Sequence, residues 1–155
     1  MTTASGSREV PHPRERVWRA LAVLQPYCAV CDVSYVISGA PTGGAGTTFV
    51  CVPGRLDGTA PAEGAPRGEI VEWVPEQVVT SRLVLTAETW TTRIELADAG
   101  PGATRVTITL THEAGGGSRL VHRLQRGALR RLARETVAAE LDKLPAHIAQ
   151  LDAAD

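Results

Sequence analysis

Between residues 33 and 112 apolar and polar positions alternate with a period of two; on either side the period is that of a helix. Period-two runs predict strands over 33–38, 47–52, 69–74, 77–85, 89–96 and 104–112. The last is the cleanest, with Val106, Ile108 and Leu110 on one face and Thr107, Thr109 and Thr111 on the other. Turns are expected over 39–46 and 97–103, which are rich in glycine. Residues 53–68 are rich in Pro, Gly and Ala and long for a hairpin connection, so they read as a disordered segment or a lid. Ahead of the strands, Val17, Trp18, Leu21, Ala22 and Leu24 recur at helical spacing. Pro13 opens that helix and Gln25-Pro26 closes it. Residues 27–32 read as a second short helix, and 8–10 as at most the end of a short first strand.

The longest helical signal is C-terminal, over 118–151. Val137, Leu141, Leu144, Ile148 and Leu151 define one apolar face, with Arg130, Arg131, Arg134, Glu135, Asp142 and Lys143 between them. Val121, Leu124, Ala128 and Leu132 lie about half a turn away, so one straight rod cannot aim both sets at one core. A bend near Gly127, or two segments, is expected. Pro145 removes a backbone donor and predicts a kink or restart near Leu144. A helix this long needs a wide surface, and an antiparallel sheet is the one the sequence can build. The expected class is therefore α+β: a curved antiparallel sheet of six or seven strands around the C-terminal helix, with two short helices after the first strand.

Composition narrows the function classes. A chain of 155 residues, 43% hydrophobic with a formal net charge of −1, reads as one soluble domain spanning 1–155. Neither size nor charge suggests nucleic acid. No apolar run approaches the roughly 18 residues of a membrane span. The first seven residues lack the features of a signal peptide, so a cytoplasmic location is expected. The oligomeric state stays open, a homodimer included. Cys28 and Cys31 have C-x-x-C spacing, but a zinc site needs two more ligands and the four histidines are scattered singly. The cysteines read as packing residues, with no metal and no cofactor expected.

Four segments together carry a resemblance. Residues 11–21 (PHPRERVWRAL) resemble the opening of the START/Bet v 1-like superfamily, and more narrowly its polyketide cyclase/dehydrase-like branch. Residues 68–77 (GEIVEWVPEQ) are similar to its Gly-to-Pro hairpin, 102–107 (GATRVT) to its penultimate turn, and 140–144 (ELDKL) to its terminal helix. The resemblance implies a helix-grip fold, a sheet curled around the long helix with a cavity between them. A small aromatic supply of one Phe, two Tyr and three Trp is consistent with space left inside.

The inner face then supplies the candidate chemistry. Parity with Val106, Ile108 and Leu110 turns Glu88, Trp90, Thr92 and Ile94 inward, and puts Tyr35, Glu72 and His112 on inner faces of their own strands. The expected ligand-binding residues are Tyr35, Glu72, Trp90, Thr92, Ile108 and Leu110 from the sheet, with Val121, Leu124, Ala128 and Leu132 from the helix. Catalytic candidates are Tyr35, Glu72, Arg82 and His112; Tyr35 and Arg82 come from the resemblance, whose aromatase/cyclases use a cavity Tyr or Arg. The catalytic assignment itself stays unknown, because no Ser–His–Asp, metal or phosphate-loop constellation is present. Arg119, Arg123, Arg126, Arg130 and Arg134 form a basic stripe on the helix. The leading expectation is binding of a small hydrophobic molecule in the cavity. The alternatives are a cyclase/dehydrase-type enzyme and a lipid-handling or interaction protein acting through the arginines.

Overall fold

The computed structural model of the chain describes residues 1–38, 43–58 and 60–154. Its elements are β1 (Thr2–Val10), α1 (Arg14–Leu21), β2 (Tyr27–Cys28), β3 (Val33–Ser38), β4 (Thr48–Pro53), β5 (Arg67–Val74), β6 (Val78–Val84), β7 (Glu88–Asp98), β8 (Thr104–Ala114), α2 (Arg119–Asp142) and α3 (Leu144–Ala154). Among the described residues eight strands form one antiparallel sheet in the order β1-β8-β7-β6-β5-β4-β3-β2. The helices cover its concave face. The expected turn over 39–46 lies partly outside the described residues.

The sheet has eight strands, rather than six or seven, for two reasons. β1 pairs with β8 along all nine of its residues. Its outward hydroxyls meet those of β8, with Thr3–Thr111, Ser5–Thr109 and Ser7–Thr107 oxygens 3.3, 3.0 and 2.8 Å apart. The second difference is that 27–32 is not a helix. Tyr27 and Cys28 pair with β3, and Asp32 closes the turn in the left-handed region at φ +51°. A right-handed helix cannot contain that residue. The Tyr27 hydroxyl donates to Asp32 Oδ1 at 2.6 Å and fixes the hairpin.

A bulge between Ile70 and Glu72 shifts the β5–β6 register by one. Ile70 therefore points inward and Trp73 follows it, while Glu72 turns out beside Thr80. Inward, Trp73 meets Trp18 edge-on with ring centroids 5.0 Å apart. Trp18 is a core anchor.

α2 reaches the sheet over its C-terminal part. Ala133, Val137 and Leu141 are buried, and each large apolar side chain buried there contributes roughly 1.5–3 kcal/mol. The approach is close because Gly6 has no side chain: a Cβ there would stand 3.0 Å from both Leu141 Cδ1 and Val137 Cγ1. Leu144 and Ile148 continue the face into α3 and are buried with Val17 of α1. Arg16 of α1 pairs with Asp152 of α3 at 2.5 Å. As Pro145 predicts, α2 ends at Asp142 and α3 restarts at Leu144. Proline cannot donate to the Leu141 carbonyl four residues back. Arg8 Nη1 of β1 donates to that carbonyl instead, at 3.1 Å. α2 runs without interruption through Gly127.

Candidate functional site

β7 and β8 are eleven residues each. Their register sets Trp90 opposite His112, two pairs beyond Thr92 and Leu110 and on the same face. The two rings stack at 4.5 Å between centroids, tilted by 54°. Glu88 lies two residues before Trp90 on the same face, and its Oε2 is 2.7 Å from His112 Nε2. The imidazole side chain is 5% exposed and the carboxylate 37%. The ring is thus held beneath the surface and its acidic partner reaches solvent. With Nε2–H donated to Glu88, Nδ1 is left to accept or carry a proton. The pair can act as an acid–base dyad, or fix the polar end of a ligand.

Over this dyad, α2 stands off the sheet. A groove of about 390 Å³ remains between them, lined by Glu88, His112, Val121, His122, Arg126 and Leu129 among others. Its rim is the turn into α2. Gly116 and Gly117 have φ +154° and +109°, backbone that other residues rarely adopt. His122 Nε2 lies 2.8 Å from the Gly116 carbonyl oxygen and pins this turn. Ser118 caps the helix, its side-chain oxygen accepting from Leu120 N at 3.2 Å.

A second space of about 240 Å³ lies between α1 and the middle strands, lined by Leu21, Leu24, Tyr35, Phe49, Thr92 and Ile94 among others. Tyr35 meets Phe49 edge-on at 5.8 Å. Burial pushes its phenol well above the ordinary tyrosine range, so it stays protonated. Phe49 in turn lies over Gly68, where a Cβ would fall 2.2 Å from the ring. An adjoining recess of about 150 Å³ shares Leu21, Leu24, Tyr35 and Ile94 and holds Cys28, Cys31, Glu140 and His147. One donor atom each from Cys31, Glu140 and His147 lie within 4.8 Å of one another. The histidines are therefore not all isolated: folding brings His147 to the C-x-x-C pair. Burial, followed by the Glu140 charge, pushes the Cys31 thiol up to about 11. Burial also lowers His147.

The structure separates the residues singled out in the sequence. Tyr35 and Thr92 line the inner space, and Val121 lines the outer groove. Trp90 stacks on His112, between the two. Ile108 and Leu110 are core residues, at 4% and 6% exposure. Leu124, Ala128 and Leu132 are exposed and line none of these spaces, because α2 turns that face to solvent. Glu72 is not on the inner face; the bulge turns it out to pair with Arg93 and accept from Thr80 Oγ1. Arg82 is also on the outer face, opposite Glu69. It borders an open recess of about 530 Å³ with Arg67 and Glu69. Tyr35, Glu72 and Arg82 therefore do not converge. The described residues of the 53–68 segment line neither the groove nor the inner space; Arg55 stacks over the Tyr27 ring at 4.1 Å instead. The arginines of the α2 stripe are exposed, Arg126 at the groove's edge.

Sequence reasoning missed the Cys31–Glu140–His147 meeting. Its sequence signals are the C-x-x-C spacing of Cys28 and Cys31 and the seven-residue spacing of Glu140 and His147 in the C-terminal helical pattern.

No protein-family model and no curated protein sequence matches the chain. Solved structures do resemble it. A protein of Thermus thermophilus, TTHA0849, is 24% identical, with a TM-score of 0.66 over 96% of this chain and 98% of that one. The Zhui aromatase/cyclase from Streptomyces sp. R1128 superposes with a TM-score of 0.70 at 12% identity, covering 96% and 93%. Norcoclaurine synthase from Thalictrum flavum, solved with dopamine and hydroxybenzaldehyde, gives 0.60 at 12%, covering 99% and 87%. What these likenesses establish is the fold: a helix-grip arrangement, in which a curved antiparallel sheet wraps a long, broken C-terminal helix.

Proposed function

We propose that this protein binds a small, largely apolar molecule between the N-terminal half of α2 and the concave sheet face. One observation carries the reading. α2 leaves a groove of about 390 Å³ above the Glu88–His112 pair, within the size range of small-molecule sites. Val121 and Leu129 offer apolar walls on the helix side, and Glu88 with His112 a polar end to orient the ligand. The fold relatives support an aromatic ligand: one is named an aromatase/cyclase, and another was solved with dopamine and hydroxybenzaldehyde.

The test is a thermal-shift screen of planar phenols against straight-chain fatty acids. Saturation at a hundredfold excess over Kd stabilises the native state by about 2.7 kcal/mol, a rise of roughly 5–10 °C for a chain of this size. Val121→Arg fills the groove from an exposed position, so it should abolish the shift and leave the unliganded melting point unchanged. Equal shifts in that variant, or none in the native protein, would overturn the reading.

The Glu88–His112 contact favours a second reading, acid–base catalysis on the bound molecule. Turnover that is lost in Glu88→Gln while binding persists would assign catalysis rather than binding alone.

A further inference from the structure

Cys28 ends β2 and Cys31 lies in the turn of the β2–β3 hairpin, and the α2–α3 joint brings a carboxylate and an imidazole to meet them. Cys31 Sγ lies 3.8 Å from His147 Nε2, and Cys28 Sγ 3.9 Å from His147 Nδ1. The Glu140 carboxylate joins Cys31 and His147 within 4.8 Å. Two ligands at tetrahedral angles on a zinc-like ion stand roughly 3.3–3.8 Å apart, given bonds of about 2.0–2.3 Å. The Cys31–His147 separation is already at that spacing. The frame is held from behind: Val30 N donates to Gln150 Oε1 of α3 at 3.2 Å, tying the hairpin turn to the helix that carries His147.

We propose that Cys31, Glu140 and His147 form a site for a thiophilic divalent cation of the zinc class, with Cys28 steadying the imidazole from its other nitrogen. The donor set makes the choice. A thiolate and an imidazole select zinc-like ions over magnesium or calcium, which take oxygen ligands. One thiolate and one carboxylate also balance a charge of +2. Three protein ligands leave a fourth position, and that position opens on the recess lined by Tyr35 and Leu24. All three ligands are half-buried, so an ion there is shielded yet reachable. Lys143 Nζ donates to Glu140 Oε1 at 3.1 Å, and the cation would compete with it for that carboxylate. A neighbour on the second ring nitrogen is a usual companion of a metal-bound histidine, which is the place Cys28 takes.

The site is independent of any ligand in the groove, and its test uses metal alone. Reduced, full-length protein is titrated with cobalt(II) and then zinc. The expected result is one equivalent of cobalt, a thiolate-to-cobalt charge-transfer band in the near ultraviolet, and its loss on adding zinc. Zinc should raise the melting point and EDTA should return it. Cys31→Ser and His147→Gln should each remove the band, and Glu140→Gln should weaken binding. Circular dichroism shows whether each variant is folded. Cys28→Ser should keep the band with affinity reduced about 10–100-fold. Failure of the folded, reduced native protein to bind a full equivalent, or binding without the charge-transfer band, would overturn the site. So would a Cys28–Cys31 disulfide that persists under reductant. Loss of the band in Cys28→Ser would overturn the role given to Cys28.

Discussion

The two halves of α2 meet the sheet differently. From Ala133 on, the residues facing the sheet are buried: Ala133 at 0%, Val137 at 3% and Leu141 at 9% exposure. Before it, the residues over the groove stay open: Val121 keeps 47%, Gln125 and Arg126 are exposed, and His122 and Leu129 are only half-buried. The first half is held by the Ser118 cap, and the Arg131–Glu135 pair at 2.7 Å spans the junction of the two halves. The second half is held by the core. The groove opens where helix packing stops, so one continuous helix both closes the fold and roofs a site.

The largest effect expected from this contrast comes from the same substitution made in each half. Leu141→Asp buries an unpaired charge, at a cost of several kcal/mol, comparable to a whole stability of about 5–15 kcal/mol. That variant should fail to fold. Leu124→Asp should stay within about 0.5 kcal/mol of the native protein. Urea melts followed by circular dichroism decide it. A soluble, cooperatively melting Leu141→Asp would show that the second half does not carry the core.

The same contrast explains what the sequence disclosed. Val106, Ile108 and Leu110 announce their strand because a buried face needs large side chains alternating with polar ones. β1 is just as long as a strand needs to be, yet it hides, because its inner positions Thr2, Ala4 and Gly6 are small. Gly6 is small because the helix lies directly on it, and tight packing there erases the amphipathic signal. Parity puts Glu72 on the wrong face because a bulge adds one residue and inverts the alternation beyond it. No periodicity contains that extra residue. Leu124, Ala128 and Leu132 are legible as a separate helix face, but a face names no partner, and here it is solvent. Trp90 and His112 come from parity alone. The Cys31–Glu140–His147 meeting depends on tertiary structure, since its ligands come from a hairpin turn and two helices.

A smaller effect probes the close approach itself. Gly6→Val places a branched side chain where Leu141 Cδ1 and Val137 Cγ1 would be 3.0 Å from its Cβ. Overpacking of this kind costs roughly 1–3 kcal/mol, so the melting point should fall by about 2–10 °C. The extra strand propensity of valine works against this loss without cancelling it. An unchanged melting point would mean that the helix stands farther from β1 than the structure shows.

The smallest effect has the opposite sign and lies in the unpacked half. Gly127 is mid-helix, and a Cβ there meets nothing within 4 Å. Its backbone is helical, so alanine fits without strain and restricts the unfolded chain. Glycine inside a helix costs roughly 0.5–1 kcal/mol relative to alanine, so Gly127→Ala should raise stability by about that amount, or about 1–4 °C. The variant also asks whether the groove is formed before a ligand arrives. If it is, stiffening the helix at Gly127 leaves the affinity for a thermal-shift ligand unchanged while the melting point rises. If the first half of α2 must swing about Gly127 to admit the ligand, the same change weakens or slows binding. A rise in stability with unaltered affinity therefore identifies the first half of α2 as a fixed roof, and a loss of affinity identifies it as a moving one.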